Sequence, residues 1–404
     1  MEVPTEPALC KLNGRFLCAD TVRFWSMFAV VAVHCAEVFM LANPHDWVSV
    51  FAVTTVFKFG TIGFFLTSGF LLQGQLKAHP SLWILRKRVR KIFVPWLLWS
   101  VLLLVALCAG DASRHHPPFT PGIPLHTAVW VEILRLLIST ALWFVPNLLL
   151  SLAILLLFRS HLKRIWFGAM LLLANLFYTA NIYGNWIEAR HTRALFAFTF
   201  YLWLGSFAAV HVTSFSRALQ RFAMPLVLGL TLAAALGSFA EAALLQHLHA
   251  SDPLNTLRLS NQVFSILLVL CLCKLRRASW PAFVDVPRHT FGIYLSHAIL
   301  LDCALAMVRR TVEYPWMSPV RSQFFLRLVL WAMVTATVWG CGFLLARTLA
   351  ASPSWCWIEG LEPTSAAPAS TGSFRLEPSA SRISLRRSWQ RLRQTPIPER
   401  TLPR

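Results

Sequence analysis

The chain has 404 residues, of which 56% are hydrophobic and only 13% charged, and its mean hydropathy is +0.58. Soluble domains carry roughly 25% charged residues, so this composition excludes an ordinary soluble enzyme, a disordered chain and a secreted domain. Lys and Arg number 37 against 17 Asp and Glu, a net charge of +20. In so apolar a chain, that excess points to orientation and contact with membrane lipid rather than to nucleic acid.

The apolar residues fall in long runs. "VSVFAVTTVFKFGTIGFFLTSGFLL" and "VLGLTLAAALGSFAEAALL" are each long enough to cross about 30 Å of hydrocarbon as a helix. Lipid offers no partner to an unpaired backbone group, so such runs are helical. They do not alternate with period two, which argues against a transmembrane barrel. In chain order we expect ten spans, over 21–41, 48–72, 92–110, 141–158, 165–182, 194–212, 222–245, 261–275, 290–308 and 324–349. The expected fold class is therefore all-α, a polytopic bundle of about ten transmembrane helices. Residues 1–20 form an N-terminal cytoplasmic segment and 21–350 the membrane domain. Residues 351–404, rich in Ser, Pro and Arg, form a basic cytoplasmic tail expected to be disordered. Within it, "SRISLRRSWQRLRQ" suits a short helix on the lipid surface.

Between the third and fourth spans lies a Pro-rich polar loop, "DASRHHPPFTPGIPLH", followed by "TAVWVEILRLLIST", an amphipathic candidate for the interface. The first apolar run continues directly into a span, so no cleavable signal peptide is expected. With both termini in the cytoplasm, most Lys and Arg fall on the inside, with or without the tail. That orientation puts the Pro-rich loop and "NIYGNWIEARHTR" outside. The nine cysteines lie mostly inside apolar runs, and no spacing reads as a disulfide or zinc framework, so no metal is expected. No internal repeat is visible.

Ionisable residues inside a bilayer are costly and mark functional sites. The first span, "VRFWSMFAVVAVHCAEVF", holds Arg23 and His34. Eleven residues at about 100° each return to within about 20° of the starting direction, so the two share a helix face about 16 Å apart. Glu37 follows one turn beyond His34 on nearly the same side. An arginine at the inner edge suits a phosphate, and a histidine deeper in the membrane suits a general base near neutral pH. A phosphate-bearing carrier with a long thin arm, such as coenzyme A, fits between them. The competing reading is a snorkelling Arg23 and a core His34 bonded to a neighbouring helix.

The second span ends in "FGTIGFFLTSGFLL", where Gly60, Gly63 and Gly69 suit close helix packing. The third opens with "LRKRVRKIFVPWLLW", supplying Arg86, Lys87, Arg88, Arg90 and Lys91 as topogenic charge or as a site for nucleotide phosphates. Trp143 and Phe144 open the fourth span and read as an aromatic belt. The ninth, "HTFGIYLSHAILLD", carries Tyr294, Ser296, His297 and Asp302, with His297 either a second base or a structural hydrogen-bonding residue.

Taken together, these pieces resemble the acyltransferase 3 family of bacterial membrane proteins. The resemblance rests on the Arg23–His34 pair, "SGFLL", "KRVRKIFVP", "LWFVP" and "GIYLSHAIL", in that order over roughly residues 15–350. It implies a ten-helix bundle in the inner membrane. It also implies transfer of an acyl group, usually acetyl from acetyl-CoA, to a sugar hydroxyl of an extracytoplasmic polysaccharide or glycan. Arg23 and His34 take the motif roles. Arg88 and Arg90 fall in its basic motif, with the matching cation ambiguous. Glu37 lies outside the motif and is assigned from its position alone. The expected catalytic set is thus His34, Arg23 and Glu37, with Arg23, Arg86, Arg88, Arg90 and Lys91 holding acetyl-CoA. Some members carry a further extracytoplasmic domain; none is expected here, so a separate envelope glycan-assembly protein is a candidate partner. A succinyl donor would need a cation at the acyl end, for which Lys58 is the nearest residue. The rival reading is a transporter or flippase of polysaccharide intermediates.

Overall fold

A computed structural model describes residues 11–12, 15–113, isolated positions of 127–133, 141–275 and 277–362. Most of the Pro-rich loop, the amphipathic segment after it and the basic helix of the tail lie outside the described residues. The first described element is a two-residue antiparallel ladder, with Lys11 opposite Phe16 and Leu12 opposite Arg15. Helices follow: α1 (Leu17–Cys35), α2 (Glu37–Ala42), α3 (Trp47–Phe57), α4 (Phe59–Ala78), α5 (Ser81–Arg88), α6 (Val94–Ser113), α7 (Phe144–Leu157) and α8 (Ile165–Gly184). Then come α9 (Thr199–Val210), α10 (Val212–Arg221), α11 (Met224–His247), α12 (Leu259–Cys273), α13 (Val286–Val312), α14 (Ser318–Ser322) and α15 (Phe324–Ala351).

Among the described residues, seven helical segments are long and apolar enough to cross a membrane, and three shorter apolar helices, α7, α9 and α12, accompany them. These ten match the ten expected runs, so the chain is a polytopic all-α membrane protein. Lipid tails are as apolar as leucine, so such helices associate by close packing rather than by hydrophobic exclusion. The α4–α9 crossing shows it: a Cβ on Gly69 would overlap the carbonyl of Leu202, and one on Gly205 would overlap that of Leu66. Gly60 and Gly63 admit α1 in the same way, against Ser26. The glycines of the second run thus serve helix packing.

Helix α1 is the central strut and packs on α4, α13, α12 and α15. Its start has Asp20 in the first turn, where a negative charge complements the helix dipole. Asp46 caps α3, its carboxylate accepting from the Ser49 amide at 3.2 Å. The same carboxylate pairs with Arg327 at 2.5 Å, both side chains being under a tenth exposed.

Between α5 and α6 the chain makes a π-helical turn over Val89–Phe93. Its cause is legible: Pro95 has no N–H to offer the carbonyl of Lys91 four residues back. The carbonyl so released lies against Gly360, whose φ of +69 suits glycine and where a Cβ would overlap it. The residues just past α15, assigned to the tail on composition, therefore belong to the bundle: Cys356–Glu359 forms a 3-10 turn against α15, α6 and the π turn.

Candidate functional site

Arg23 and His34 both lie within the unbroken α1, so their separation along the axis is about 16 Å. They share a face, as the spacing predicts, but they line different cavities. Arg23 opens onto a cavity of about 520 Å³, within the usual range for ligand pockets. Four further cations line it: Lys87, Arg88, Lys91 and Arg288. Lys87 and Arg88 close α5, and Lys91 lies in the π turn that follows. Arg86 and Arg90 are exposed and are not brought to the cavity. Lys91 pairs with Glu362 at 2.8 Å.

Arg288 and Glu359 are cavity residues that the sequence reading missed. Arg288 sits in the first turn of α13 and donates to the carbonyl of Ala350. Glu359 is 2% exposed, and neither carboxylate oxygen has a hydrogen-bond partner. Its carboxyl occupies the space that a Cβ on Gly292 would fill. Burial pushes its pKa up to about 8, against the pull of Arg288. At pH 7 the acid is therefore neutral, and the cavity keeps a strongly positive character.

His34 lies at the other end of the α1 face, in the wall of a small cavity of about 30 Å³ shared with Lys58, Trp143, His191 and Thr256. The His297 ring of α13 lies 5.4 Å from the His34 ring, centroid to centroid. The Nδ1 of His297 bonds to the carbonyl of Tyr294, which must accept, so Nδ1 carries the proton and Nε2 the lone pair. That Nε2 is buried with no hydrogen-bond partner.

His191 and Asp252, from the segments joining α8 to α9 and α11 to α12, complete this end. His191 Nδ1 meets Asp252 Oδ2 at 2.7 Å. Burial, then the Lys58 charge, pushes the His191 pKa below its ordinary value. Burial raises that of Asp252, but the facing His191 and Lys58 outweigh it and hold the carboxylate well below its usual range. In this contact the His191 imidazole donates its Nδ1–H to the Asp252 carboxylate. Nothing in "IEARHTR" or "ASDPLNT" marks these residues, because they meet only through tertiary folding.

Aromatic rings separate the two cavities. Phe144 packs against Phe64 at 5.7 Å, Phe65 at 5.0 Å and Tyr294 at 5.6 Å. Phe64, Phe144 and Tyr294 line the Arg23 cavity, whereas Trp143 lines the His34 cavity. Trp143 is 6% exposed and buried inside the bundle, which corrects its assignment to an interfacial belt. Glu37 is not brought to the site. The α1 helix ends at Cys35, α2 starts at Glu37, and the Glu37 side chain is half exposed and pairs with Arg309 at 3.2 Å. Asp302 lines neither cavity. Among the described residues, no cluster of His, Cys, Asp and Glu could hold a metal ion.

Comparison with known families matches residues 16–349 to the acyltransferase domain of the acyltransferase 3 family. The match spans most of the chain, which belongs to that family and is a membrane acyltransferase. Neither a curated protein nor a solved structure gave a significant match.

Proposed function

We propose that this member of the acyltransferase 3 family moves an acetyl group from cytoplasmic acetyl-CoA to a sugar hydroxyl of a polysaccharide or glycan on the far side of the inner membrane. The observation that carries the reading is the division of one α1 face between a five-cation cavity at Arg23 and an imidazole cluster at His34, with a ring layer between. Both termini lie in the cytoplasm, with Arg23, Lys87, Arg88, Lys91 and Arg288 on that side. Guanidinium forks suit phosphate oxygens, and a cavity of this charge concentrates a polyanionic donor. The thin pantetheine arm passes between Phe64, Phe144 and Tyr294 and presents its thioester to His34.

At His34 the C–S bond of the thioester breaks and an ester C–O bond forms on the acceptor. The hydroxyl proton ends on the sulfur of coenzyme A. His34 serves as base to the hydroxyl or as a transient carrier of the acyl group. Lys58, in the same cavity as His34, supports a second reading in which the acyl group is succinyl and the lysine meets its free carboxylate.

The test is binding and turnover of acetyl-CoA and succinyl-CoA by the purified protein in detergent. Arg23→Ala is expected to lose donor binding, and His34→Ala to keep binding and lose turnover. A folded wild-type protein that binds neither donor would overturn the reading in favour of a different donor or of transport.

A further inference from the structure

We propose that the His191–Asp252 pair is the acceptor-side base of the transfer, leaving His34 the role of acyl carrier. The inference rests on the reading above, that the acyl group reaches His34, and adds residues that no sequence motif marks.

The geometry separates the two histidines by task. His191 has Nδ1 committed to Asp252 at 2.7 Å, and its backbone amide points to the same oxygen at 3.4 Å. A carboxylate on one ring nitrogen fixes the tautomer and leaves the other nitrogen free to accept a proton. That Nε2 belongs to a ring in the wall of the His34 cavity. The His191 and Asp252 side chains are 18% and 17% exposed, so an acceptor reaches them from the end of the bundle opposite Arg23. His297, by contrast, is fully buried and meets only what has already entered.

The pair is also held firmly. Asn255 donates to the carbonyl of Ala189 at 2.6 Å and ties the two loops together. The Trp143 ring meets the His191 ring edge-on at 5.4 Å. The charged and titratable groups facing His191 are Asp252 from its own side and Lys58 and His34 from the helices below. The ligand class is a hydroxyl-bearing acceptor. Its oxygen attacks the acyl carbon held on a His34 ring nitrogen, the new C–O bond forms and the C–N bond breaks. The hydroxyl proton passes to His191 Nε2 and from there to the departing His34 nitrogen. The donor step is the complement: the C–S bond breaks, the C–N bond forms, and the His34 ring proton leaves with the thiolate.

Two small nucleophiles test this with acetyl-CoA and the full-length protein. Water needs a base to attack an acyl-imidazole; hydroxylamine, with a neutral nucleophilic nitrogen, does not. His191→Gln is expected to lower acetate release relative to acetohydroxamate formation by about 10²-fold, the usual size of general-base assistance. Asp252→Asn preserves shape but not the tautomer. It is expected to lower kcat for hydrolysis with KM unchanged and to displace the pH profile, which loss of a mere loop tie would not do. An unchanged product ratio in either variant, or a parallel loss of both products in His191→Gln, overturns the assignment of the base. Failure of wild-type protein that binds acetyl-CoA to form acetohydroxamate faster than hydroxylamine does by its direct reaction with the thioester overturns instead the acyl-carrier role of His34 on which it stands.

Discussion

His34 of α1 and His297 of α13 lie ring to ring, 5.4 Å between centroids, with the planes inclined by 39°. Only His297 is fully buried, and its unpartnered Nε2 is a lone pair held out of water. Burying a polar atom without a partner costs about 1–3 kcal/mol, which the fold sustains at this one point beside the motif histidine. Under the proposed function, His297→Phe is expected to keep acetyl-CoA affinity, because His297 does not line the basic cavity. It is expected to lower turnover, because it replaces the imidazole that lies against His34. Calorimetric binding beside a thiol-release assay checks both halves.

The basic run makes a sharper distinction than its sequence allows. Arg88 lines the cavity and Arg90 is exposed. A hydrogen bond to a charged group contributes about 1.5–3 kcal/mol, so Arg88→Ala is expected to weaken acetyl-CoA binding by roughly ten- to a hundredfold. Arg90→Ala is expected to change it by less than about twofold, in line with the small worth of exposed charges. Equal effects in the two variants would contradict the placement of Arg88 in the cavity wall.

Glu359 gives the cavity a pH dependence. Its carboxyl, with a pKa of about 8, is protonated below that pH and ionises as the pH rises through it. Ionisation sets a negative charge among Arg23, Lys91 and Arg288, where the proposed function places the donor phosphates. Donor affinity is therefore expected to fall as pH rises from about 7 to 9, and Glu359→Gln is expected to flatten that fall. The sign for stability is the same: a carboxyl whose folded pKa lies above its unfolded value of about 4.3 destabilises the fold progressively as pH rises between the two. Binding isotherms and melting temperatures across that range check the two effects.

The Asp46–Arg327 pair is a stability determinant at the end of the bundle away from Arg23. Arg327→Met strands a buried carboxylate and is expected to cost about 3–5 kcal/mol. The double variant Asp46→Asn, Arg327→Met removes the stranded charge and is expected to recover much of the loss. Thermal unfolding in detergent, compared across the cycle, measures it.

The architecture was legible in the sequence because lipid imposes a strong constraint: ten apolar runs became ten apolar helices, and the face shared by Arg23 and His34 followed from helical pitch alone. Glu37 shows the limit of that rule. One turn of ideal helix puts it beside His34, but α1 ends between them, and Arg309, far along the chain, draws the carboxylate outward. Arg288 and Glu359 were hidden for a related reason. Each looks like an ordinary loop or tail charge until α13 and the 3-10 turn after α15 fold onto the basic helix. The His191–Asp252 contact joins two loops separated by 61 residues, and no local pattern encodes such a meeting.

The ring layer of Phe64, Phe144 and Tyr294 has an electrical consequence. A membrane bundle with polar recesses on either side of such rings risks becoming a leak. An isolated ion faces a steep energy barrier in a medium without water or counter-charge, so on the proposed reading these rings admit a thin uncharged arm and oppose the passage of ions. The bundle can thus present polar surfaces at both ends while sustaining the voltage across the membrane in which it sits.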